Sequence, residues 1–184
     1  MTSPAAVRGH EVRLRLLTAA VALIPERGWS AVSTRILADR AGVTPSVVHY
    51  HYPSVQAVLI EAAITAMRQV LTATDEVFTA AETPAAAVDA MLAEIEQYDG
   101  TDPMSLLFTE TYLAATRDEH LHAQVATLVT DFRARVTDWL TIYQVPEPAA
   151  TAAVLAAAID GLLLHRGLGL SADGTALILR RLVN

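Results

Sequence analysis

Ser33-Thr34-Arg35-Ile36-Leu37-Ala38-Asp39-Arg40-Ala41-Gly42-Val43-Thr44-Pro45-Ser46-Val47-Val48-His49-Tyr50-His51-Tyr52 is the stretch whose reading decides the fold. At its centre, Ala41-Gly42-Val43 reads as a tight turn, because glycine reaches positive φ without a Cβ clash. Before the turn, Ser33 or Thr34 can cap a short helix through Arg40, since a hydroxyl there accepts from a free backbone amide. After it, Thr44 is expected to cap another short helix, with Pro45 at its first position, where a missing N–H costs nothing. Pro53 ends that helix. Two short helices joined by a glycine turn describe a helix-turn-helix, whose second helix is free to enter a DNA major groove.

Outward from this pair the chain keeps helical periodicity. Upstream, Leu14, Leu17, Val21 and Ile24 fall at steps of three and four, so Val12–Arg27 is expected to be a helix, with Pro25 in its last turn and Gly28 closing it. Downstream, Ser54 can cap a long helix from Val55 to about Ala80. Thr83-Pro84 restarts a helix that should stop at Asp99-Gly100, and Asp102-Pro103 starts another. Asp118 caps a long helix from Glu119 to about Tyr143. Pro146-Glu147-Pro148 breaks the chain before an alanine-rich helix to Arg166, and a short helix follows the Gly167–Gly174 loop. Nothing alternates at period two, so the expected class is all-α: a three-helix DNA-binding domain over 1–54, then a helical effector-binding and dimerisation domain over 55–184.

Composition supports helix over sheet. Alanine dominates the 53% apolar content of the 184 residues, and aromatics make up only 5%. The absence of cysteine excludes disulfides, thiolate catalysis and Cys-based metal sites. The run Ala149–Ile159, interrupted by Asp160, is short for a membrane span of roughly 20 residues and is expected to be a buried helix. Met1–His10 lacks the pattern of a signal peptide. The expectation is a soluble, cytoplasmic protein with no membrane partner. Net charge is −7, but it is unevenly spread. All basic residues other than histidine are arginines, and residues 1–55 hold six of them against Glu11, Glu26 and Asp39, whereas the remainder holds seven against seventeen acids. A basic end on an acidic body suits a protein that meets phosphates at one end.

The 33–52 stretch resembles the signature of the TetR family of transcriptional regulators. Ala22-Leu23-Ile24-Pro25-Glu26-Arg27-Gly28-Trp29 looks like the end of that family's first helix, so the resemblance covers about residues 12–62. Further on, Arg117-Asp118 and Asp160-Gly161-Leu162 are similar to features of its C-terminal half. Three positions depart from the pattern: His49 replaces a tyrosine, Tyr52 a phenylalanine, and Val55 the lysine that grips a phosphate. The resemblance implies base reading by Pro45, Ser46 and His49, with Val47 either meeting a thymine methyl or helping the backbone grip. It implies phosphate contact by Arg35, Thr44, Tyr50, His51 and Ser54. Val48 and Tyr52 read as core, and solvated surface positions are the plain alternative for His49 and His51.

In a TetR-like body the later helices enclose an effector cavity, for which the candidates are Met67, Leu71, Met91, Ile95, Tyr98, Met104, Phe108, Glu110, Thr111 and Tyr112. An apolar or amphipathic ligand suits flexible methionines and a few tyrosines. Each apolar member reads equally well as plain core, and Glu110 as a surface acid. The resemblance also implies a homodimer through two stripes: Val125, Leu128, Phe132, Val136 and Leu140 on one helix, and Leu155, Ile159, Leu162 and Leu163 on the other. His49-x-His51 and His120-x-His122 point to different helix faces and make no metal site. No catalytic motif is present, so neither an enzymatic function nor a cofactor is expected. The rival readings are a helical-bundle enzyme or carrier, which lacks convergent catalytic groups here, and an architectural DNA binder, which would be basic throughout.

Overall fold

The computed structural model describes residues 4–171 and 173–184. Helices are the only regular structure among them. The chain runs α1 (Pro4–Arg27), a 3-10 turn (Trp29–Ala31), α2 (Thr34–Ala41), α3 (Pro45–His51) and α4 (Val55–Ala80). It continues through α5 (Pro84–Glu96), α6 (Pro103–Ala115), α7 (Glu119–Ile142), α8 (Pro148–Gly167) and α9 (Thr175–Leu182). The all-α expectation holds. Local capping chemistry sets most boundaries: Ser33 Oγ accepts from Ile36 N at 3.3 Å, Thr83 Oγ1 from Ala86 N, and Asp118 Oδ1 from Leu121 N at 2.9 Å. Gly42 closes α2 in the left-handed region, φ 65°, with its N–H on the Ala38 and Asp39 carbonyls.

The chain divides into two compact units that do not follow the 54/55 boundary read from sequence. One comprises the chain up to Met67 together with Leu106–His122; the other comprises Arg68–Ser105 and Ala123–Asn184. In the first unit α1 packs on α2 and α2 on α3. Its buried residues include Leu16, Leu23, Ile24, Leu37, Val48, Leu59 and, from the α6 segment, Leu107 and Thr111. The face that α1 buries differs from the expected stripe. Leu14 is 49% exposed, whereas Leu16, Ala19, Ala20 and Leu23 are interior. Of the expected stripe Ile24 is buried and Leu17 and Val21 half-buried, so the interior face is rotated from it and includes Ala19 and Ala20, which a stripe drawn only through large residues leaves out. Helix α1 also begins eight residues earlier than the periodicity suggests, at Pro4 rather than Val12.

The second unit is organised around Phe78, Val88, Met91, Ile95, Phe132, Val136, Leu140, Leu155 and Leu179. The Phe78 ring meets Phe132 and Trp139 edge-on, at centroid distances of 6.5 and 5.4 Å. Helix α5 stops at Glu96, short of the expected Asp99-Gly100. Asp99 instead accepts from the Thr101 amide and hydroxyl in the following turn. Gly100 has φ 78°, and a side chain there would run into the backbone of Leu163 and Gly167. Arg166 holds the same crossing, donating to the Tyr98 carbonyl at 2.8 Å and the Glu96 carbonyl at 3.1 Å.

Helix α8 was expected to be buried, and it is so on one side only. Thr151, Ala152 and Leu155 face inward, while Val154, Leu164 and the following Leu168 are 49%, 53% and 70% exposed. Both α4 and α8 are long and apolar enough to cross a membrane by length and composition alone.

Candidate nucleic-acid interface

The reading surface is built from the turn outward. Gly42 lets α2 stop and the chain re-enter α3 within three residues. Val48 is fully buried and Tyr52 is 4% exposed, so α3 is anchored by one side, as expected for both. Its other side projects. Thr44, Pro45, Ser46, His49 and Tyr50 are exposed and Val47 and His51 half-buried. Tyr50 is 85% exposed, a large ring outside the core. Its edge meets the His51 ring at 5.0 Å. The two remaining expected contacts, Arg35 and Ser54, are exposed as well. Ser54 Oγ is engaged by the Ala57 amide at 3.2 Å. Thr44 sits at the N-cap of α3 but does not cap it: its hydroxyl pairs with Ser46 Oγ at 2.8 Å.

Electrostatics sort the arginines of the N-terminal stretch up to Met67 into two groups. Arg13 makes a two-pronged ion pair with Glu61, both contacts at 2.9 Å, and its guanidinium lies 4.6 Å above the Tyr52 ring. Glu61 raises the Arg13 pKa further above its ordinary value. Arg40 pairs with Glu26, whose carboxyl it holds below the usual range. Neither cation is available as bare charge. Arg8, Arg15, Arg27 and Arg35 carry no ion pair among the described residues, and the Arg15 guanidinium lies beside the Gly42 turn. Sequence reasoning missed the Arg13–Tyr52–Glu61 clamp, which ties α1 and α4 to the end of the reading helix. Burial, reinforced by Glu61, pushes the Tyr52 hydroxyl up to about 12.

The residues expected to line an effector cavity are divided between the two units. Met67, Phe108, Glu110, Thr111 and Tyr112 belong to the first unit, and Leu71, Met91, Ile95, Tyr98 and Met104 to the second. Phe108 and Tyr112 touch, with centroids 6.3 Å apart. Met91 and Ile95 are core, with Leu71 packed against it, and Tyr98 is 39% exposed. Glu110 is neither a simple surface acid nor part of an apolar lining. Its Oε2 accepts from the Trp29 backbone N–H at 2.8 Å, while Trp29 Nε1 donates to Gln56 Oε1, also at 2.8 Å. Glu110 thus fastens α6 to the turn between α1 and α2.

The expected dimer stripe on α7 needs correction. Val125, Leu128, Phe132, Val136 and Leu140 are 0–7% exposed within the single chain, so they hold its own core and leave no surface for a partner. On α8 Leu155 is likewise interior, and Ile159, Leu162 and Leu163 are half-buried at the edge of the core. The outward apolar positions are Val154, Leu164 and Leu168 instead.

Known proteins agree with this architecture. The family model of the bacterial regulatory proteins of the tetR family matches residues 16–62, and that of the tetracyclin repressor-like C-terminal domain matches residues 82–184. Among solved structures, a protein of Streptomyces coelicolor A3(2) described as a transcriptional regulator is 27% identical, with TM-score 0.80 over 95% of this chain and 99% of its own. A TetR-family regulator from Rhodococcus is 21% identical with TM-score 0.72, covering 94% of this chain and 97% of that one. GusR of Salmonella enterica is 18% identical with TM-score 0.74, covering 100% and 96%. Among curated proteins, none matches the sequence. With one model on the helix-turn-helix and the other on more than half of the chain, this protein belongs to the TetR family of DNA-binding transcriptional regulators.

Proposed function

We propose that this chain is a ligand-released repressor that binds a pseudo-palindromic operator as a homodimer in the cytoplasm. The observation that carries the reading is the projecting face of α3, Thr44 to His51 with Tyr50 exposed, in a stretch where Arg8, Arg15, Arg27 and Arg35 make no ion pair among the described residues. Pro45, Ser46 and His49 stand where base edges are read. Arg35, Thr44, Tyr50, His51 and Ser54 hold phosphates, Val47 takes a thymine methyl or the backbone, and Arg15 joins the phosphate set beside the turn. Arg15 and Arg35 stand in for the lysine absent at Val55.

The partner subunit docks on the outward side of α8, through Val154, Leu164 and Leu168, flanked by Ile159, Leu162 and Leu163. Two exposed large apolar side chains on α8 and a third just past its end suit a partner's surface better than water. Two such subunits read symmetric half-sites about one helical turn (~34–36 Å) apart. An apolar or amphipathic effector bound by the helical body, with the touching rings of Phe108 and Tyr112 as its candidate contacts in the first unit, releases the operator only by binding the non-DNA form better. A selection of bound sequences from random duplexes tests the reading: it should enrich an inverted repeat, and enrichment of no motif would refute it.

A further inference from the structure

The first unit contains a cleft of about 370 Å³ that DNA reading does not use, lined by Trp29, Gln56, Glu110, Leu113, Arg117 and Asp118 among others. Its size falls in the range of small-molecule sites, roughly 300–1,000 Å³. Its walls are chemically unlike the apolar set proposed for the effector. Glu110 spends Oε2 on the Trp29 amide and leaves Oε1 without a hydrogen bond among the described residues. Asp118 spends Oδ1 on capping α7 and leaves Oδ2 similarly open. The Trp29 indole is fixed by Gln56, and Leu113 is 48% exposed beside it. Arg117 is the single cation of the lining, against two carboxylates.

Acceptor-only carboxylates with open oxygens call for a donor that carries positive charge, and an indole face adds attraction for the same charge. The apolar wall of Trp29 and Leu113 calls for a hydrocarbon part. We propose that this cleft binds a small amphipathic ammonium ion, its head at Glu110 and Asp118 and its apolar part against Trp29 and Leu113. The ammonium takes the open Oε1 and, by drawing charge from the carboxylate, weakens the bond that Oε2 accepts from the Trp29 N–H. Because that bond fastens α6 to the turn joining α1 and α2, occupancy loosens the support of the helix-turn-helix. The effect on operator binding rests on the regulatory reading above; the binding itself does not.

Trp139→Phe leaves Trp29 as the only tryptophan, so its emission reports the cleft alone. Phenethylammonium should give a saturable change in that emission. Its uncharged analogue 2-phenylethanol should bind about tenfold more weakly or worse, as for loss of a charged hydrogen bond. Glu110→Gln keeps an acceptor for Trp29 and should weaken phenethylammonium by a similar factor. Arg117→Gln, at an exposed site, should tighten it by removing like charge. Equal binding of alcohol and ammonium, an unchanged affinity in folded Glu110→Gln, weaker binding in Arg117→Gln, or no saturable signal would each overturn the proposal. None of these readouts involves DNA, so a failed operator assay leaves the cleft standing, and a failed titration leaves the regulator standing.

Discussion

At Tyr52 a phenol replaces the phenylalanine of the family pattern, and its extra oxygen is buried without a hydrogen-bond partner among the described residues. The ring is buried under Arg13, and its hydroxyl, beside Glu61, ionises only at about 12 against an ordinary 10.0. As pH rises the unfolded chain loses this proton first, so the group's stabilisation is intact below pH 10 and drains away between about 10 and 12. Urea unfolding should therefore show wild type losing stability relative to Tyr52→Phe as pH rises through the window, and parallel curves would contradict it. At His49 and Arg35 the expectation divides by role. His49→Ala should cost about 1–3 kcal/mol at one base position, whereas Arg35→Ala should weaken all sequences alike and flatten the salt dependence. Titrations on operator and random duplexes at several salt concentrations decide it. These exposed positions were legible because the motif is local. Arg13 and Glu61 were not, since they stand 48 residues apart on helices whose faces sequence alone does not pair.

Among the elements, starts were easier to read than faces. Caps at Ser33, Ser54, Thr83 and Asp118 lie next to the residues they serve, so composition reveals them. Which side of α7 faces inward depends on α5 and on the aromatic cluster around Phe78, and a stripe of Val, Leu and Phe fits a core as well as a partner. The Trp29–Ala31 turn left no periodic signal, and with it went the role of Glu110. Two predictions belong here. Gly100→Ala should destabilise the second unit by several kcal/mol, since it combines positive φ with a backbone clash; thermal unfolding measures it, and an unchanged Tm would contradict the packing described. Leu164→Glu should leave the fold intact and shift the chain from dimer to monomer in sedimentation, because the residue is 53% exposed on α8. Persistence of the dimer would move the interface elsewhere.

For the molecule as a whole, the charge asymmetry and the two family matches point to the same division, a basic DNA-binding N-terminal stretch followed by an acidic C-terminal one. The division into compact units was not legible, because Leu106–His122 joins the N-terminal unit through buried Leu107 and Thr111 and the Glu110–Trp29 bond, all far along the chain from their partners. The central claim is that two copies of α3 read a symmetric site. Hydroxyl-radical footprinting of the selected operator, with the complex mass from sedimentation, tests it most directly. The account predicts one dimer protecting two patches related by a two-fold axis, centred about one helical turn (~34–36 Å) apart. Protection of a single asymmetric patch by one chain would contradict it.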